Sequence, residues 1–446
     1  MYIMTDNLRI VLAGGVVLGV LVLLHELGHF IAAKLCGVRV DVFSIGFGPR
    51  LWGVKRGDTD YRISALPLGG YVRMAGDNPV EERTGAAYEF LSRPRWQRCI
   101  IAVAGPAMNV LLTFAISFGM FWGKGMAIDA SLSQPAQVAA LPQNVTPDST
   151  NVLPGDRILA VNGIVTPTWE KVLSAVNQVK PGGSVAIKVL RDGSQQTLTA
   201  KSPEHPSPTD SIVGYPASSA VIDEVEIGFP AEKAGMKPDD TIVQINGQPV
   251  SSWLQLLDHV RNSDGNAIHF VVRRDGATIP MDITPVHKMD PDGDLAWQIG
   301  VTPKGEEVYE RQGFSEALQD ASSATMGGVR MIGQVLGGLF NGKVSVRDLQ
   351  TVVGIARAAG RAAKRGPMRL LDLTAVLSLN LGLLNLLPIP ILDGGHVLLL
   401  AIEGTLRRDL SVAFKERFVQ VGLVFLLCFF AVVMYNDIMR VIQVHW

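Results

Sequence analysis

The chain has 446 residues, of which 48% are hydrophobic and 18% are charged, and its mean hydropathy is +0.25. An average soluble protein carries about 25% charged residues, so the composition indicates a membrane protein. The net charge of −1 gives no sign of a nucleic-acid partner, and none is expected. Only three cysteines occur, none in a C-x-x-C pair, so the sequence indicates neither a disulfide framework nor a cysteine zinc site.

Four segments are apolar enough to cross a bilayer, which takes about 20 residues. They give transmembrane helices at 1–34, 99–122, 369–393 and 418–436. The first also resembles the apolar part of a signal peptide. We reject that interpretation because it would discard the most polar and chemically informative residues of any span.

Those polar residues form the sequence H-E-L-G-H at positions 25–29. On a helix, residues four apart lie on one face, so His25 and His29 can bind one metal ion. Zinc prefers nitrogen ligands and, in catalytic sites, takes three protein ligands and a water. Glu26 is then the expected general base. A chance match and a pair of core histidines are the alternatives, but burying these groups in a bilayer without a function is costly.

A polar insert of about 250 residues follows the second span and contains a repeat with a period of 83 to 84 residues. D-R-I-L-A-V-N-G at 156–163 recurs as D-T-I-V-Q-I-N-G at 240–247. Each Asn-Gly predicts a tight turn between two strands. The phrase resembles PDZ domains, which implies PDZ-like domains at 127–202 and 209–288 that bind peptide termini. Inert spacer domains are the alternative. Prolines 203, 206 and 208 predict a linker between them.

The next segment, 305–368, is apolar but rich in glycine and interrupted by charge, which predicts an amphipathic region on the membrane surface. The third span ends in N-L-L-P-I-P-I-L-D-G-G-H at 385–396. Asp393, at the end of this apolar run, is the predicted third metal ligand. His396 is the rival, with a supporting hydrogen-bond role the better prediction for it. A cytoplasmic loop is expected at 394–417.

The distribution of charge predicts the orientation of the chain. Basic residues in the loops after the first and third spans place those loops in the cytoplasm, so the repeats lie outside. Five basic residues at 357–369 oppose this assignment, but long translocated regions carry little weight in the rule.

Taken together, these motifs resemble the site-2 protease family of intramembrane zinc metalloproteases, and the two PDZ-like copies resemble its sigma-E-type bacterial branch. Besides 25–29 and 385–396, G-P-A-M-N at 105–109, F-S-I-G-F-G-P at 43–49 and P-L-G-G-Y-V-R-M at 67–74 match family motifs. One departure is Thr351-Val352, where the family usually has Gly-Pro.

The resemblance implies Zn²⁺ as cofactor and a membrane-associated β-segment within 35–98. Substrate would pair with Gly70, Tyr71 and Val72, and Asn385 would hold the substrate backbone or polarise the scissile carbonyl. It also implies the bacterial inner membrane as the location, with the PDZ-like domains in the periplasm. The implied substrate is the transmembrane segment of a single-span protein of the anti-sigma factor type. Membrane lipid is the other implied partner. An ordinary cytoplasmic hairpin is the alternative for the β-segment, and helix–helix contact is the better prediction for Asn109.

The predicted fold is therefore a multi-span α-helical membrane protein with four transmembrane helices, a membrane-associated β-segment and two inserted PDZ-like α/β domains. A metal transporter is less favoured because the spans show no inverted repeat. A catalytically inactive PDZ scaffold is less favoured because Glu26 is intact. Whether the PDZ-like domains gate the site or recruit substrate stays open.

Overall fold

A computed structural model describes residues 2–78, 84–143, 151–202, 212–226, 228–289, 295–305, 307–341 and 352–443. The chain divides into two compact units. We call Met1–Gly125 with Arg311–Gln443 the membrane unit, and Met126–Glu310 the polar unit. The predicted linker prolines and Thr351 lie outside the described residues.

Two long helices and a β-hairpin form the first part of the membrane unit. They are α1 (Tyr2–Leu35), β1 (Val40–Arg56), β2 (Thr59–Met74) and α2 (Arg95–Gly123). The two helices approach closely at Gly28, where an added Cβ would lie 2.3 Å from the carbonyl oxygen of Ala104. Glycine is therefore needed there for the helices to pack at this distance.

Strand β1 pairs with two separate segments of strand β2, because both strands bend back on themselves. Ile45 pairs with both Gly70 and Ile63, so segments 70–74, 40–45, 59–64 and 50–56 lie side by side. Residues 70–74 form one edge of this sheet, and no other described strand pairs with them. Large apolar side chains on the hairpin are exposed, among them Phe47, Leu51, Trp52, Val54 and Leu66. Such a surface is unusual in water and suits a lipid environment.

The polar unit contains two four-stranded antiparallel sheets with the same strand order. Its strands are β3 (Met126–Asp129), β4 (Arg157–Val161), β5 (Ile164–Val165), β6 (Ser184–Arg191), β7 (Ser194–Lys201), β8 (Ile222–Val225), β9 (Thr241–Ile245), β10 (Gln248–Pro249), β11 (Ile268–Arg274), β12 (Ala277–Ile283), β13 (Val286–Met289), β14 (Leu295–Gln298), β15 (Val301–Pro303) and β16 (Glu307–Glu310). Its helices are α3 (Trp169–Asn177), α4 (Pro230–Lys233) and α5 (Trp253–Arg261). The sheet orders are β5-β4-β6-β7 and β10-β9-β11-β12.

The predicted repeat is confirmed as a structural repeat. Asn162 and Asn246 both adopt positive φ (48° and 50°), as do the glycines that follow, which makes the predicted tight turns. The predicted boundaries are too short, because each core includes a later segment. Val213 packs into the first core and Ile299 into the second. We call residues 132–215 repeat 1 and residues 220–303 repeat 2.

Five helices complete the membrane unit: α6 (Phe314–Phe340), α7 (Val352–Arg365), α8 (Pro367–Asn385), α9 (Asp393–Leu406) and α10 (Val412–Gln443). Two expectations require correction. The predicted third span, 369–393, ends as a helix at Asn385, and Asp393 begins the next helix. The predicted loop 394–417 contains most of α9, a 14-residue helix.

Helix α6 runs alongside α2 and α8. Phe314 at its start packs edge-on against Phe118 and Trp122, and a Cβ added at Gly328 would lie 2.5 Å from Leu379. This course beside two long apolar helices differs from the flat surface helix expected from the sequence.

Three described helices are long and apolar enough to cross a membrane: Gly14–Leu35, Arg95–Gly123 and Pro367–Asn385. They agree with three of the four predicted spans. The fourth predicted span, 418–436, lies within α10, where apolar side chains such as Val421 and Phe425 are exposed. A fourth crossing stays a prediction, because the side chains near its end lie outside the described set.

Candidate metal centre

The first half of the centre comes from α1. His25 and His29 lie one turn apart on this helix, and both are buried (5% and 8% exposed). Their ring centroids are 4.9 Å apart in an edge-on arrangement, and the two Nε2 atoms are 3.2 Å apart. The i, i+4 spacing thus brings both imidazoles to one point, as predicted.

The second half comes from the start of α9. Residues 386–392 form a turn between α8 and α9, since Pro388 and Pro390 cannot continue a helix. Asp393 is the first residue of α9, where the helix dipole favours a carboxylate. A Cβ at Gly394 would lie 2.2 Å from the carbonyl oxygens of Leu386 and Leu387, so glycine lets the turn fold tightly beneath the helix.

Asp393 reaches both histidines. Its Oδ2 is 3.0 Å from His25 Nε2, and its Oδ1 is 3.4 Å from His29 Nε2. Ligand atoms bound at about 2.0–2.1 Å around a tetrahedral zinc are separated by about 3.3 Å. The three contacts match that spacing. Within the described residues, these three side chains make the one cluster of histidines, cysteines and acids with metal-ligand spacing.

Helix α2 leaves space for an ion beside this cluster. A Cβ added at Gly105 would lie 2.3 Å from His29 Nε2 and 2.8 Å from His25 Nε2. Any side chain at this position would therefore fill the point where the ring nitrogens converge. The donor set and this space both fit a zinc ion.

The outer nitrogens of the two rings also face α2. His29 Nδ1 is 2.7 Å from the carbonyl oxygen of Ile101, and His25 Nδ1 is 3.2 Å from the carboxamide of Asn109. The sequence interpretation of Asn109 as a helix–helix contact missed this interaction. Gly105 and Asn109 were noted as members of the G-P-A-M-N motif without a role in the centre, and Ile101 was not noted. Their roles depend on how two helices pack.

Glu26 faces the hairpin edge. Its Oε2 accepts a 3.1 Å hydrogen bond from the backbone N–H of Val72. A Cβ at Gly70 would lie 3.8 Å from Glu26 Cγ and 2.6 Å from the carbonyl oxygen of Ser44. The predicted base and two of the predicted substrate-binding residues are thus neighbours. Tyr71 points elsewhere: its ring stacks on Phe47 and its hydroxyl contacts Arg62.

Asn385 and His396 differ in their relation to the cluster. The Nδ2 of Asn385 is 3.3 Å from His25 Nε2, so this last residue of α8 reaches the convergence point. His396 is absent from the metal-ligand cluster of the described residues; it lines a cavity of about 390 Å³ with residues including Arg98 and Glu403. The geometry favours Asp393 over His396 as the third ligand.

With this geometry established, comparison with known proteins identifies the family. The model of peptidase family M50 matches residues 13–429. The chain belongs to peptidase family M50. This is the site-2 protease family, so the resemblance noted from the motifs is confirmed.

The similarity between this M50 protein and its relatives covers nearly the whole chain. The regulator of sigma-E protease RseP of Salmonella typhimurium (strain 14028s) is 32% identical, over 95% of this chain and 97% of the relative. The Escherichia coli K12 protein of the same name gives the same values. A putative zinc metalloprotease of Vibrio cholerae is also 32% identical, over 98% and 100%.

Family membership confirms the predicted enzyme class and cofactor. The protein is a zinc metalloprotease and a membrane protein. This outcome favours the enzyme over the transporter and the inactive scaffold that the sequence also allowed.

Proposed function

We propose that this M50 protease hydrolyses peptide bonds inside the transmembrane segment of single-span membrane proteins. The observation that carries the proposal is the His–His–Asp cluster, whose two buried histidines lie on a helix that itself qualifies as a span. His25 precedes the end of that span at Leu35 by ten residues, about 15 Å along a helix. A cluster at this depth acts on bonds inside the bilayer.

In the proposed mechanism, His25, His29 and Asp393 hold the zinc ion. When bound, zinc supplies a Lewis acid and a coordinated water with a pKa of about 7. Glu26 adjoins His25 in sequence, and its Oε2 accepts the hydrogen bond of the Val72 N–H at the hairpin edge. It accepts the proton of the attacking water at Oε1 or Oε2 and then delivers a proton to the leaving amine.

Asn385 stabilises the developing charge. Its amide group lies within 3.3 Å of His25 Nε2, close to where a scissile carbonyl would be placed. An N–H donor aimed at that oxygen is worth most when the negative charge develops in the transition state. Asn385 therefore acts as an oxyanion donor rather than a zinc ligand.

The hairpin edge holds the substrate extended. In a regular antiparallel pair, outward-facing backbone groups alternate along the strand. Val72 directs its N–H outward to Glu26, so Gly70, two residues earlier, directs its own groups to the same edge. A substrate strand added there satisfies amides that would be exposed in the membrane when its helix unwinds. Gly70 lets the substrate backbone approach closely.

The polar unit controls which substrates reach the site. We propose that its repeats are PDZ-like domains on the periplasmic side of a bacterial inner membrane. Two relatives are named regulators of sigma-E, which supports an anti-sigma factor, shortened beforehand outside the membrane, as the substrate. The repeats then exclude proteins with large external domains. Recruitment of a new carboxyl terminus by the repeats is the alternative.

The central proposal is tested with purified protein, single-span substrates and metal analysis. Wild type should bind one zinc per chain and cut within the apolar segment, located by mass spectrometry. Glu26→Gln should keep zinc and lose at least about 100-fold of the cleavage rate, because an amide cannot accept the proton. Cleavage only outside the apolar segment, or a Glu26→Gln rate near wild type, would refute the proposal.

Gating is tested by deleting residues 132–303, which removes both repeats and keeps the paired strands β3 and β16, and by confirming that the variant still binds zinc. Gating predicts that the deletion permits cleavage of an untrimmed single-span protein. Recruitment predicts instead that trimmed substrate is cut more slowly. Assaying both substrates with both proteins separates the two.

A further inference from the structure

The side of each histidine ring that faces the metal determines where its proton must lie. The Nε2 atoms of His25 and His29 converge with Asp393, so these nitrogens are the ones that donate lone pairs to zinc. A neutral imidazole has one N–H. Each ring must therefore carry its proton on Nδ1 and give it to an acceptor.

For His29 the acceptor is evident. Its Nδ1 lies 2.7 Å from the carbonyl oxygen of Ile101, which cannot donate a hydrogen bond. The proton is thus held on Nδ1, and Nε2 is free to bind a cation. The backbone of α2 fixes the tautomer of this ligand.

For His25 the partner is ambiguous, because a carboxamide has two ends of nearly the same shape. The Asn109 end placed 3.2 Å from His25 Nδ1 is Nδ2. In that orientation Nδ1 accepts, the ring proton moves to Nε2, and His25 cannot bind zinc. It also leaves Asn109 Oδ1, which is fully buried, without a hydrogen-bond partner among the described residues. Which end of an asparagine faces a neighbour is decided by its hydrogen bonds, so zinc ligation requires the reverse orientation.

We propose that Asn109 turns its Oδ1 toward His25 and accepts the Nδ1–H, so that it fixes the metal-binding tautomer of that ligand. This inference rests on the proposed ligand set. Asn109 is a positioning residue that acts through His25 and touches neither metal nor substrate.

The backbone of Asn109 is fixed by helix packing. Its carbonyl oxygen accepts hydrogen bonds from Thr113 Oγ1 and Ser378 Oγ, and Gly382 of α8 lies against its Cβ. Ile101, Gly105 and Asn109 are four residues apart, on one face of α2. That face therefore supplies an acceptor for one ring, space for the ion, and an acceptor for the other ring.

The test compares zinc affinity in full-length variants by chelator competition. Asn109→Leu removes the acceptor at similar size and should weaken zinc binding by about 10- to 100-fold, the usual effect of losing an outer partner of a ligand. Asn109→Asp keeps an acceptor oxygen and should bind zinc within about threefold of wild type. Thr374→Val is the matched control: it removes a buried side-chain hydrogen bond of α8, from Thr374 Oγ1 to the carbonyl oxygen of Leu370, and should leave affinity unchanged.

A purely structural role predicts that Asn109→Leu and Thr374→Val behave alike, or that Asn109→Asp fails as Asn109→Leu does; either result overturns the inference. The proposed ligand set is checked separately with His25→Ala. If that variant keeps zinc, the ligand set is wrong; if it loses zinc and Asn109→Leu does not, only the role of Asn109 is wrong.

The tautomer can also be read in wild type, which avoids any folding defect of the variants. In zinc-loaded protein labelled with ¹⁵N-histidine, the His25 ring should show a protonated Nδ1 and a metal-bound Nε2. A protonated Nε2 at His25 would contradict the proposal directly.

Discussion

Asp393 in the membrane unit has different partners from two buried acids of the polar unit, Asp156 and Asp240. In the polar unit, Asp156 accepts two hydrogen bonds from Arg191, and Asp240 accepts two from Arg274, at 2.6–2.7 Å. Both acids are also bonded by nearby backbone N–H groups. In the described part of the membrane unit, the Asp393 carboxylate contacts the Nε2 atoms of His25 and His29, which themselves face one another.

The difference separates a structural cluster from a binding site. An arginine brings its own charge and donors, so an Asp–Arg pair is complete and has no capacity left for a ligand. Two neutral imidazoles and a carboxylate bring three lone pairs to one point and no cation. A metal ion bound by these lone pairs offsets the cost of burying the three polar groups in an apolar unit.

The largest loss of zinc binding should follow removal of Asp393, the carboxylate of the His25–His29–Asp393 cluster. Asp393→Ala should abolish stoichiometric zinc binding and cleavage, because two histidines are a weak site for zinc. His396→Ala, on the same helix, is the control and should retain zinc. Metal analysis of the purified variants decides the assignment: if His396→Ala loses zinc while Asp393→Ala keeps it, the ligand set is wrong.

A nearly equal effect should follow filling of the space beside the cluster. Gly105→Ala places a methyl group 2.3 Å from His29 Nε2, so zinc affinity should fall at least about 100-fold. Gly119→Ala on the same helix meets nothing within 4 Å and should bind zinc normally. Chelator competition measures both. Equal affinities in the two variants would show that the ion does not sit against Gly105.

These two predictions show which part of the site is readable from sequence. His25 and His29 are four residues apart on one helix, a local pattern, and Asp393 follows a recognisable proline-broken run. Gly105 and Asn109 belong to a recognised motif and Ile101 does not. The roles of all three residues could not be predicted, because they arise only when α2 packs against α1. The sequence predicted that Asn109 contacts a neighbouring helix. The structure adds its contact with His25 Nδ1, which the sequence did not predict.

The fold shows the same limit. The three apolar helices long enough to span a membrane and the Asn-Gly turns follow from local composition and were predicted, whereas α9 was predicted as a loop. The double pairing of the hairpin was not, since Ile45 pairs with residues 18 and 25 positions away. The repeat boundaries were also missed, because Val213 and Ile299 pack into their cores from positions beyond the last sheet strand of each repeat. Pairings at long separation leave little trace in local patterns.

Breaking one of the Asp–Arg pairs of the polar unit should lower its stability and leave zinc binding unchanged. Asp240→Asn leaves Arg274 without its charge partner, and removal of one member of a buried pair costs about 3–5 kcal/mol. Because the Arg274 side chain is 23% exposed, solvent reduces this to about 2 kcal/mol. Asp239→Asn is the control, since Asp239 is exposed and pairs with Lys304 at the surface. Hydrogen exchange of β9 and β11 amides in the full-length protein should show faster exchange for Asp240→Asn alone, with zinc content unchanged in both variants.

The smallest effect is the pH dependence of the stability that the two Asp–Arg pairs contribute. Burial alone raises the pKa of Asp240, but the Arg274 hydrogen bonds and the Lys237 N–H outweigh it and lower the pKa; Asp156 behaves likewise with Arg191. A carboxyl whose folded pKa is below its unfolded value of about 3.9 stabilises the fold above that value, and this contribution is lost as pH falls through the folded pKa. The repeats should therefore lose stability as the pH falls below about 4.

Hydrogen exchange of the repeat strands from pH 6 down to pH 3, corrected for intrinsic exchange rates, measures this loss in the full-length protein. Asp156→Asn with Asp240→Asn removes the two carboxyls, so the double variant should start less stable and lose less stability on acidification than wild type. The two acids lie in separate repeats with separate cores, so their contributions should add. An acid response in the double variant equal to that of wild type would assign the effect to other carboxyls, and the Asp–Arg pairs would then be structural contacts without a pH role.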